Sequence, residues 1–440
     1  MEAVIIADDL TGANDSGVQL ARQGLTTSVL LKMDEKAVHG QEGIVLNTDS
    51  RSISPAEAYQ RVAEAARFMV QFSAKFIYKK IDSTLRGNIG SELDAMFDVF
   101  RPDFLIVAPA FPDNGRTTLN GIHYLGGRPV HETEVGADKK TPVTESYVPA
   151  LLSSQTGRKV ALIHYTELRA GKDVLVRRLH ELNDEGIPYI VSDAENEADL
   201  YMLVEGVERS GYSVVWAGSA GLAKCLPVGA QRRNNKSRIT QIVATSPERK
   251  QELTRRSPVL VAIGSITARS RKQLQVLLAS PDLVGVKLQS DLLIMEPAER
   301  EREIRRVYQA GIDLLRNGLH VVVHVAMDDE EVVHTIKVGQ SHGLEVVEIS
   351  ESIAEAIGEI VCQLLQAGDW AGVVMTGGDT ATQICKRLGT ERFELMSEVE
   401  LGVPIGRLCG GIELDAVTKS GSFGSDEVLI NSVKLLKEGS

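Results

Sequence analysis

The sequence predicts an α/β protein of two domains, each with a largely parallel sheet flanked by helices. Three observations lead to that reading. Short apolar runs alternate with helix-period stretches almost throughout, which implies parallel strands joined by crossover helices. The alternation breaks once, over 227–257, "PVGAQRRNNKSRITQIVATSPERKQELTRRS", a polar and mostly basic stretch with no sustained apolar stripe. Finally, 440 residues suffice for two or three domains with a sizeable core in each. The boundaries read 1–228 and 257–440, with 229–256 as the connection.

Strand candidates in the first domain are "AVIIA" near 3–7, "TSVLL" near 27–31, "GIVLNT" near 43–48, "FIYKKI" near 76–81 and "FLIVAPA" near 104–110. "KVALIHY", "PYIVSDA" and "SVVWAG" continue the series. Between them lie helical stretches such as "SPAEAYQRVAEAARFMVQF", with Ser54 placed to cap the helix and Pro55 at its first position. The second domain opens with "PVLVAIGS" near 258–265. It runs through "GVKLQ", "LHVVVHVA" and "EVVEIS" as strands, a helix near 352–367, and "GVVMTGGDT" near 372–380. No internal sequence repeat or low-complexity tract is visible.

Composition narrows the function. A net charge of -12 argues against nucleic acid or an anionic membrane as the main partner, though a local basic pocket can still hold a small anion. Cys225, Cys362, Cys385 and Cys409 are scattered, with no C-x-x-C pair and no matching histidine spacing, so neither a disulfide framework nor a zinc site is expected. The opening "MEAVIIADDL" turns acidic too soon for a signal peptide and reads as a core strand. No run is long enough to span a bilayer, so a cytoplasmic protein is expected.

The sharpest chemistry in the second domain is "GVVMTGGDTATQICKRLG". A buried strand ends in Thr376-Gly377-Gly378-Asp379-Thr380 and passes straight into a helix. Two glycines there permit a tight turn and close approach of a ligand, and the helix start offers unpaired N–H groups and a positive dipole end. The plainer reading is a strand–helix turn capped by Asp379 or Thr380. Two companions favour a site. "AIGSITARSRKQL" ends a strand at Gly264-Ser265 and enters a helix through Thr267, and "VTKSGSFGSDEVL" carries Lys419 and Gly421 before another apolar helix. Amides for phosphates, a lysine for charge, and hydroxyls with an aspartate suit a nucleoside triphosphate with Mg2+. There is no G-x-x-x-x-G-K-[ST], so this is not a P-loop, and the missing G-x-G-x-x-G disfavours a dehydrogenase.

The first domain carries different groups at its strand ends. "IIADDLTGANDSG" places Asp8 and Asp9 after the first strand. Adjacent side chains alternate, so only one of the pair is expected to face a ligand, and helix capping by Thr11 or Asn14 is the plainer role beyond them. Asp49, Ser50 and Arg51 follow the third strand. "IYKKIDSTLRGNIG" follows the fourth, and Asn114, Arg116 and Asn120 the fifth. A parallel sheet brings all of these to one edge. Arg51, Lys79 or Lys80, and Arg86 can neutralise a carboxylate, while Asp9, Asp82, Ser83 and Thr84 can bond to hydroxyls. That pocket suits a small sugar acid. His320 and His324 in "HVVVH" share a strand face without a third ligand, and read as core histidines. "MDDEEVVH" and "EPAEREREIRRVY" read as solvated helix surfaces.

Taken together, "IADDLTGANDSGVQLARQG", "NTDSRS", "YKKIDSTLRGNIGSEL", "GRTTLNG", "KTPV", "TGGDTAT" and "KSGSFGSDEVL" resemble the four-carbon acid sugar kinases, most closely the D-threonate kinases among them. The resemblance implies an ATP-dependent kinase that phosphorylates the terminal (4-)hydroxyl of a four-carbon aldonate. D-erythronate and 3-oxo-tetronate are the alternative substrates, and a non-catalytic sensor is the alternative role. It implies a sugar-acid-binding first domain, an ATP-binding second domain, an active site in the cleft between them, and a homodimer. Carried over by motif, substrate contacts fall on Asp9, Arg51, Asp82, Ser83, Thr84, Leu85 and Arg86, to which the strand-end reading adds Lys80. ATP contacts fall on Ser265, Gly377, Gly378, Asp379, Thr380 and Gly421, to which the loop reading adds Lys419. ATP and Mg2+ are expected, without an assigned protein metal ligand. Leu10 stands where many members carry an aromatic residue. Two aspartates compete for the general base. Asp379, beside a helix N-terminus, is expected to take the proton, and Asp9 to orient the sugar.

Overall fold

In the computed structural model the chain divides into two compact units, Met1–Arg233 and Asn234–Ser440. Residues 1–138, 140–228 and 257–438 are described; the connection expected at 229–256 lies outside them.

The first unit contains β1 (Ala3–Ala7), β2 (Thr27–Leu30), β3 (Gly43–Asn47), β4 (Phe76–Lys80), β5 (Phe104–Ala108), β6 (Arg116–Leu119), β7 (Ile122–Leu125), β8 (Arg128–Pro129), β9 (Val160–Ile163), β10 (Tyr189–Ser192) and β11 (Val214–Gly218). Its main sheet runs β2-β3-β1-β4-β11-β5-β10-β9, with every neighbouring pair parallel. β1 and β5 are buried along their whole length, which is why both read as unbroken apolar runs. The helix Pro55–Val70 starts as its sequence predicts. Ser54 accepts from Glu57 N, Glu57 reaches back to the Ser54 amide, and Pro55 takes the first turn. That helix packs on Ile89–Phe100, while the helix Leu10–Arg22 packs on Ala220–Cys225. A separate antiparallel sheet, β6-β7-β8, is absent from the sequence reading.

The second unit contains β12 (Val259–Ile263), β13 (Leu283–Lys287), β14 (His320–His324), β15 (Gly372–Thr376), β16 (Thr390–Glu400), β17 (Val403–Gly410) and β18 (Leu414–Lys419), in the order β13-β14-β12-β15-β18-β17-β16. Pairs from β13 to β18 are parallel. β17 runs antiparallel to both β18 and β16. "EVVEIS" is not a strand. It opens the helix Val346–Gln366, where Glu345 and Glu348 form a capping box, so the alternation of charge and valine belongs to the first helical turn.

Both units open with the same strand order. β1 is flanked by β3 and β4 with β2 outside, and β12 is flanked by β14 and β15 with β13 outside. The chain therefore leaves β1 and β4 in opposite directions, and likewise β12 and β15. Open α/β sheets bind ligands beyond the carboxyl ends of strands at such a switch point.

Candidate functional site

At the carboxyl edge of the first unit, β1, β3 and β4 deliver a dense cluster of charges. Arg51 grips Asp8 with two bonds, Nε to Oδ2 at 2.7 Å and Nη2 to Oδ1 at 2.9 Å. The same Nη2 donates to Asp9 Oδ1 at 2.6 Å and lies 3.8 Å from Asp82 Oδ1. Both aspartates of the adjacent pair thus meet one guanidinium, although Asp8 is buried and Asp9 alone keeps some exposure. The backbone explains this. Asp9 has left the strand to cap the helix Leu10–Arg22, accepting from Gly12 N at 3.0 Å and from the Thr11 hydroxyl at 2.6 Å. The cap is therefore Asp9, and neither Thr11 nor Asn14. Leu10 is buried beneath it.

Asp82 and Arg86 form a second pair, Nε to Oδ2 at 2.7 Å and Nη2 to Oδ1 at 3.1 Å, and Thr84 donates to the same carboxylate at 2.5 Å. Leu85 makes this turn at φ 67°, a left-handed conformation that a branched side chain rarely adopts without support. Among the described residues Arg86 Nη1 has only a longer contact, 3.5 Å to Asp138. Burial alone would raise the pKa of Asp82, but Arg86 and Arg51 outweigh it and hold the carboxyl well below its usual range. Burial opposes ionisation of Asp8 too, and Arg51 and Lys79 again win.

Lys79 and Lys80 take separate roles. Lys79 is fully buried and pairs with Glu92 at 2.7 Å. Lys80 Nζ donates to Ile81 O at 2.8 Å and sits against the start of the first helix: a Cβ on Gly12 would fall 2.7 Å from it and 2.5 Å from Asp9 Oδ1. A side chain at Gly12 would have to displace both groups.

Two supporting residues escape the sequence reading. Glu92 accepts from Ser50 Oγ at 2.6 Å as well as from Lys79, tying the ends of β3 and β4 together; burial raises its pKa, against the pull of Lys79. His123, on β7, bonds Ser83 O at 2.9 Å and Thr118 Oγ1 at 2.9 Å. A carbonyl only accepts, so Nε2 carries the proton and Thr118 donates to Nδ1. Burial pushes this imidazole down to about 4, and it stays neutral at working pH. Arg116, also expected near this edge, is buried on β6 and donates to Asn114 O.

In the second unit the three predicted loops meet. Gly264 N donates to Thr376 O at 3.2 Å and Gly377 N to Lys419 O at 3.0 Å. A Cβ on Gly264 would fall 1.9 Å from Thr380 Oγ1, and one on Gly421 would fall 2.4 Å from Ser265 Oγ. Only glycine permits that closeness. The helix Gly378–Arg387 begins with Gly377 (φ 96°) at its cap position and no side-chain cap, so neither Asp379 nor Thr380 plays the capping part. The helix Ala268–Leu278, by contrast, is capped by Thr267. Asp379 is exposed in the first turn, whereas Thr380 is buried. Lys419 Nζ is turned into its own loop and away from solvent. His320 and His324 are buried on β14, bonded to Val259 N and Val325 O, as core histidines would be.

No group of three or more His, Cys, Asp or Glu residues that could hold a metal occurs among the described residues.

Comparison with known proteins matches each unit to a family. Residues 3–226 match a family described as a sugar-binding N-terminal domain, and residues 260–429 one described as a nucleotide-binding C-terminal domain. A D-erythronate kinase of Heliobacterium modesticaldum is 32% identical, over 98% of this chain and 96% of its own. A D-threonate kinase of Salmonella typhimurium is 30% identical over 100% of this chain and 99% of its own. A 3-oxo-tetronate kinase of Pseudomonas savastanoi pv. phaseolicola is 29% identical over 98% and 96%. A crystal structure of a Haemophilus influenzae protein superposes with a TM-score of 0.70 at 25% identity, covering 98% of this chain and 100% of that one. The chain belongs to the four-carbon acid sugar kinases, a family of ATP-dependent phosphotransferases.

Proposed function

We propose that this chain transfers the γ-phosphoryl group of ATP to the terminal hydroxyl of a four-carbon sugar acid, D-threonate first, giving the 4-phosphate, ADP and a proton. The observation that carries this reading is the charge cluster at the β1–β3–β4 edge. It pairs carboxylates able to accept from hydroxyls with guanidinium groups able to hold an acid.

In this reading the substrate carboxylate meets Arg86 through Nη1, the nitrogen not already committed to Asp82. Asp9, partly exposed and fixed by Arg51, Gly12 N and Thr11, accepts from a sugar hydroxyl. Thr84 and Ser83 complete the polar wall, and Lys80 supplies charge against Asp9. On the nucleotide side, the Gly378 amide at the helix start and the Ser265 and Gly421 loops receive phosphates, with Thr380 locked against Gly264. Bound Mg2+ neutralises charge on the transferring phosphates. Asp379, the exposed carboxylate of that edge, takes the proton released from the attacking hydroxyl.

The relatives' names divide among threonate, erythronate and oxo-tetronate, while the motif "ANDSGVQLA" resembles the threonate type. Homodimerisation and a cytoplasmic location belong to the same proposal. They rest on the family resemblance, and no helix among the described residues is long and apolar enough to cross a membrane. An ADP-release assay over D-threonate, D-erythronate, L-threonate and 3-oxo-tetronate, at saturating ATP and Mg2+, tests it. Turnover fastest with D-threonate is expected. Binding of a sugar acid without ADP release favours a sensor, and a preference for another acid reassigns the substrate.

A further inference from the structure

The loop after β18 is held in an unusual way. Lys419 Nζ, fully buried, lies 2.7 Å from Ser420 O, 3.2 Å from Gly421 O and 3.2 Å from Phe423 O. The neighbouring helix adds more donors to the same strip of backbone. Thr267 Oγ1 and Ser270 Oγ each reach Gly421 O at 3.0 Å, and Gln273 Nε2 reaches Phe423 O at 3.0 Å, Gly424 O at 3.3 Å and Ser425 O at 2.8 Å. In a trans peptide the C=O and the following N–H point in opposite directions. Drawing the carbonyls of Ser420, Gly421 and Phe423 inward therefore turns the amides of Gly421, Ser422 and Gly424 outward. None of those three amides has a hydrogen-bond partner among the described residues.

Three carbonyls around one nitrogen match the three donors of an ammonium. A neutral amine has two N–H bonds and a lone pair, which would face one of those oxygens. We infer that Lys419 is a positioning residue and not a phosphate ligand: as an ammonium it fixes the loop with its amides outward, and it takes up its proton together with an anion bound on that loop. This rests on the nucleotide reading of the second unit given above.

The charge has little local support. Among the described residues Lys419 has no carboxylate at ion-pair distance. Burial, with Arg269 from the helix acting in the same direction and Glu400 on β16 against it, pushes its pKa down to about 7; Arg269 is itself paired with Asp426 at 3.1 Å. A phosphate chain laid on the loop supplies the missing negative charge, so the pKa rises on binding. The sign follows. Below pH 7 the lysine is already protonated and binding takes up little. Above pH 7 the free protein is largely neutral there and binding draws a proton from solvent.

The test titrates ADP with Mg2+ into the full chain by calorimetry from pH 6 to 9, in two buffers of different ionisation enthalpy. At pH 8 and above the ligand is fully ionised and contributes no proton itself. The expected result is proton uptake near zero at pH 6, rising to a sizeable fraction of one proton by pH 8. Lys419→Met should bind ADP about 10- to 100-fold more weakly, as loss of charged hydrogen bonds implies, and without uptake. Lys419→Arg, charged at every pH, should bind without uptake and with a flat pH profile. ADP binding by the native chain with no uptake above pH 7 overturns the inference, whether or not the variants fold. The same uptake in a folded Lys419→Met, checked by circular dichroism, overturns it too. Absence of ADP binding at every pH would strike the nucleotide reading itself.

Discussion

Asp9 and Asp379 differ in what surrounds them, and the roles proposed for them follow that difference. Asp9 is bound by Arg51, Gly12 N and Thr11, so its oxygens are fixed before any ligand arrives. Asp379 is exposed in a first helical turn without a side-chain cap. Asp379→Asn should lower kcat by a factor of about 100 or more with little change in sugar-acid KM, as loss of a general base does. Asp9→Asn keeps a capping side chain but removes the charge facing Arg51, so sugar-acid KM should rise. Steady-state kinetics of both variants check the pair, and the opposite pattern would exchange the roles. Glu92 offers a third check at this scale. Glu92→Gln leaves the Lys79 ammonium buried without its anion, which should cost about 3–5 kcal/mol in urea unfolding. A loss below about 1 kcal/mol would remove Glu92 from the frame of the site. Such residues are not legible in sequence: Ser50 and Glu92 are 42 positions apart, and nothing local marks them as partners.

At the scale of elements, strand ends were the readable feature. Strands buried on both faces appear as apolar runs, and the polar residues that end them stand out. Every predicted loop of the second unit proves to lie at one edge. Antiparallel pieces were missed because β16 to β18 mix half-buried charges such as Glu394 and Arg407 with core residues such as Phe393 and Leu408. The close approach of Gly264 to Thr380 was hidden as well, since it joins the ends of β12 and β15. Gly264→Ala forces a Cβ into that hydroxyl and should separate the two loops. ADP affinity should fall by about 10-fold or more with sugar-acid binding unchanged, measured by calorimetry; unaltered ADP affinity would take this contact out of the site. In the first unit β7 braces the turn at Ser83 through neutral His123. An unfolded histidine titrates near 6.5 and this one near 4, so stability is complete above pH 6.5 and declines as pH falls toward 4, by about 3 kcal/mol. His123→Gln should flatten that part of the stability–pH curve relative to the native chain. Equal slopes would show that the imidazole is not held neutral.

Across the whole molecule, two units with the same opening strand order carry unlike edges: charged pairs in the first, glycines and hydroxyls in the second. The shared topology is invisible as sequence repetition because strand order depends on which runs pair, not on which residues recur. The net charge of -12 coexists with a local cluster in which Arg51, Arg86, Lys79 and Lys80 face Asp8, Asp9, Asp82 and Glu92. Bulk charge therefore says little about the ligand, and the site says more. The most direct test of terminal phosphorylation is proton–phosphorus correlation NMR of the product formed from D-threonate and ATP. The 4-carbon bears two hydrogens and every other hydroxyl-bearing carbon bears one. A new phosphate ester whose phosphorus couples to a CH2 pair is the expected result. Coupling to a single CH proton, or phosphate released to water with the acid unchanged, would contradict it.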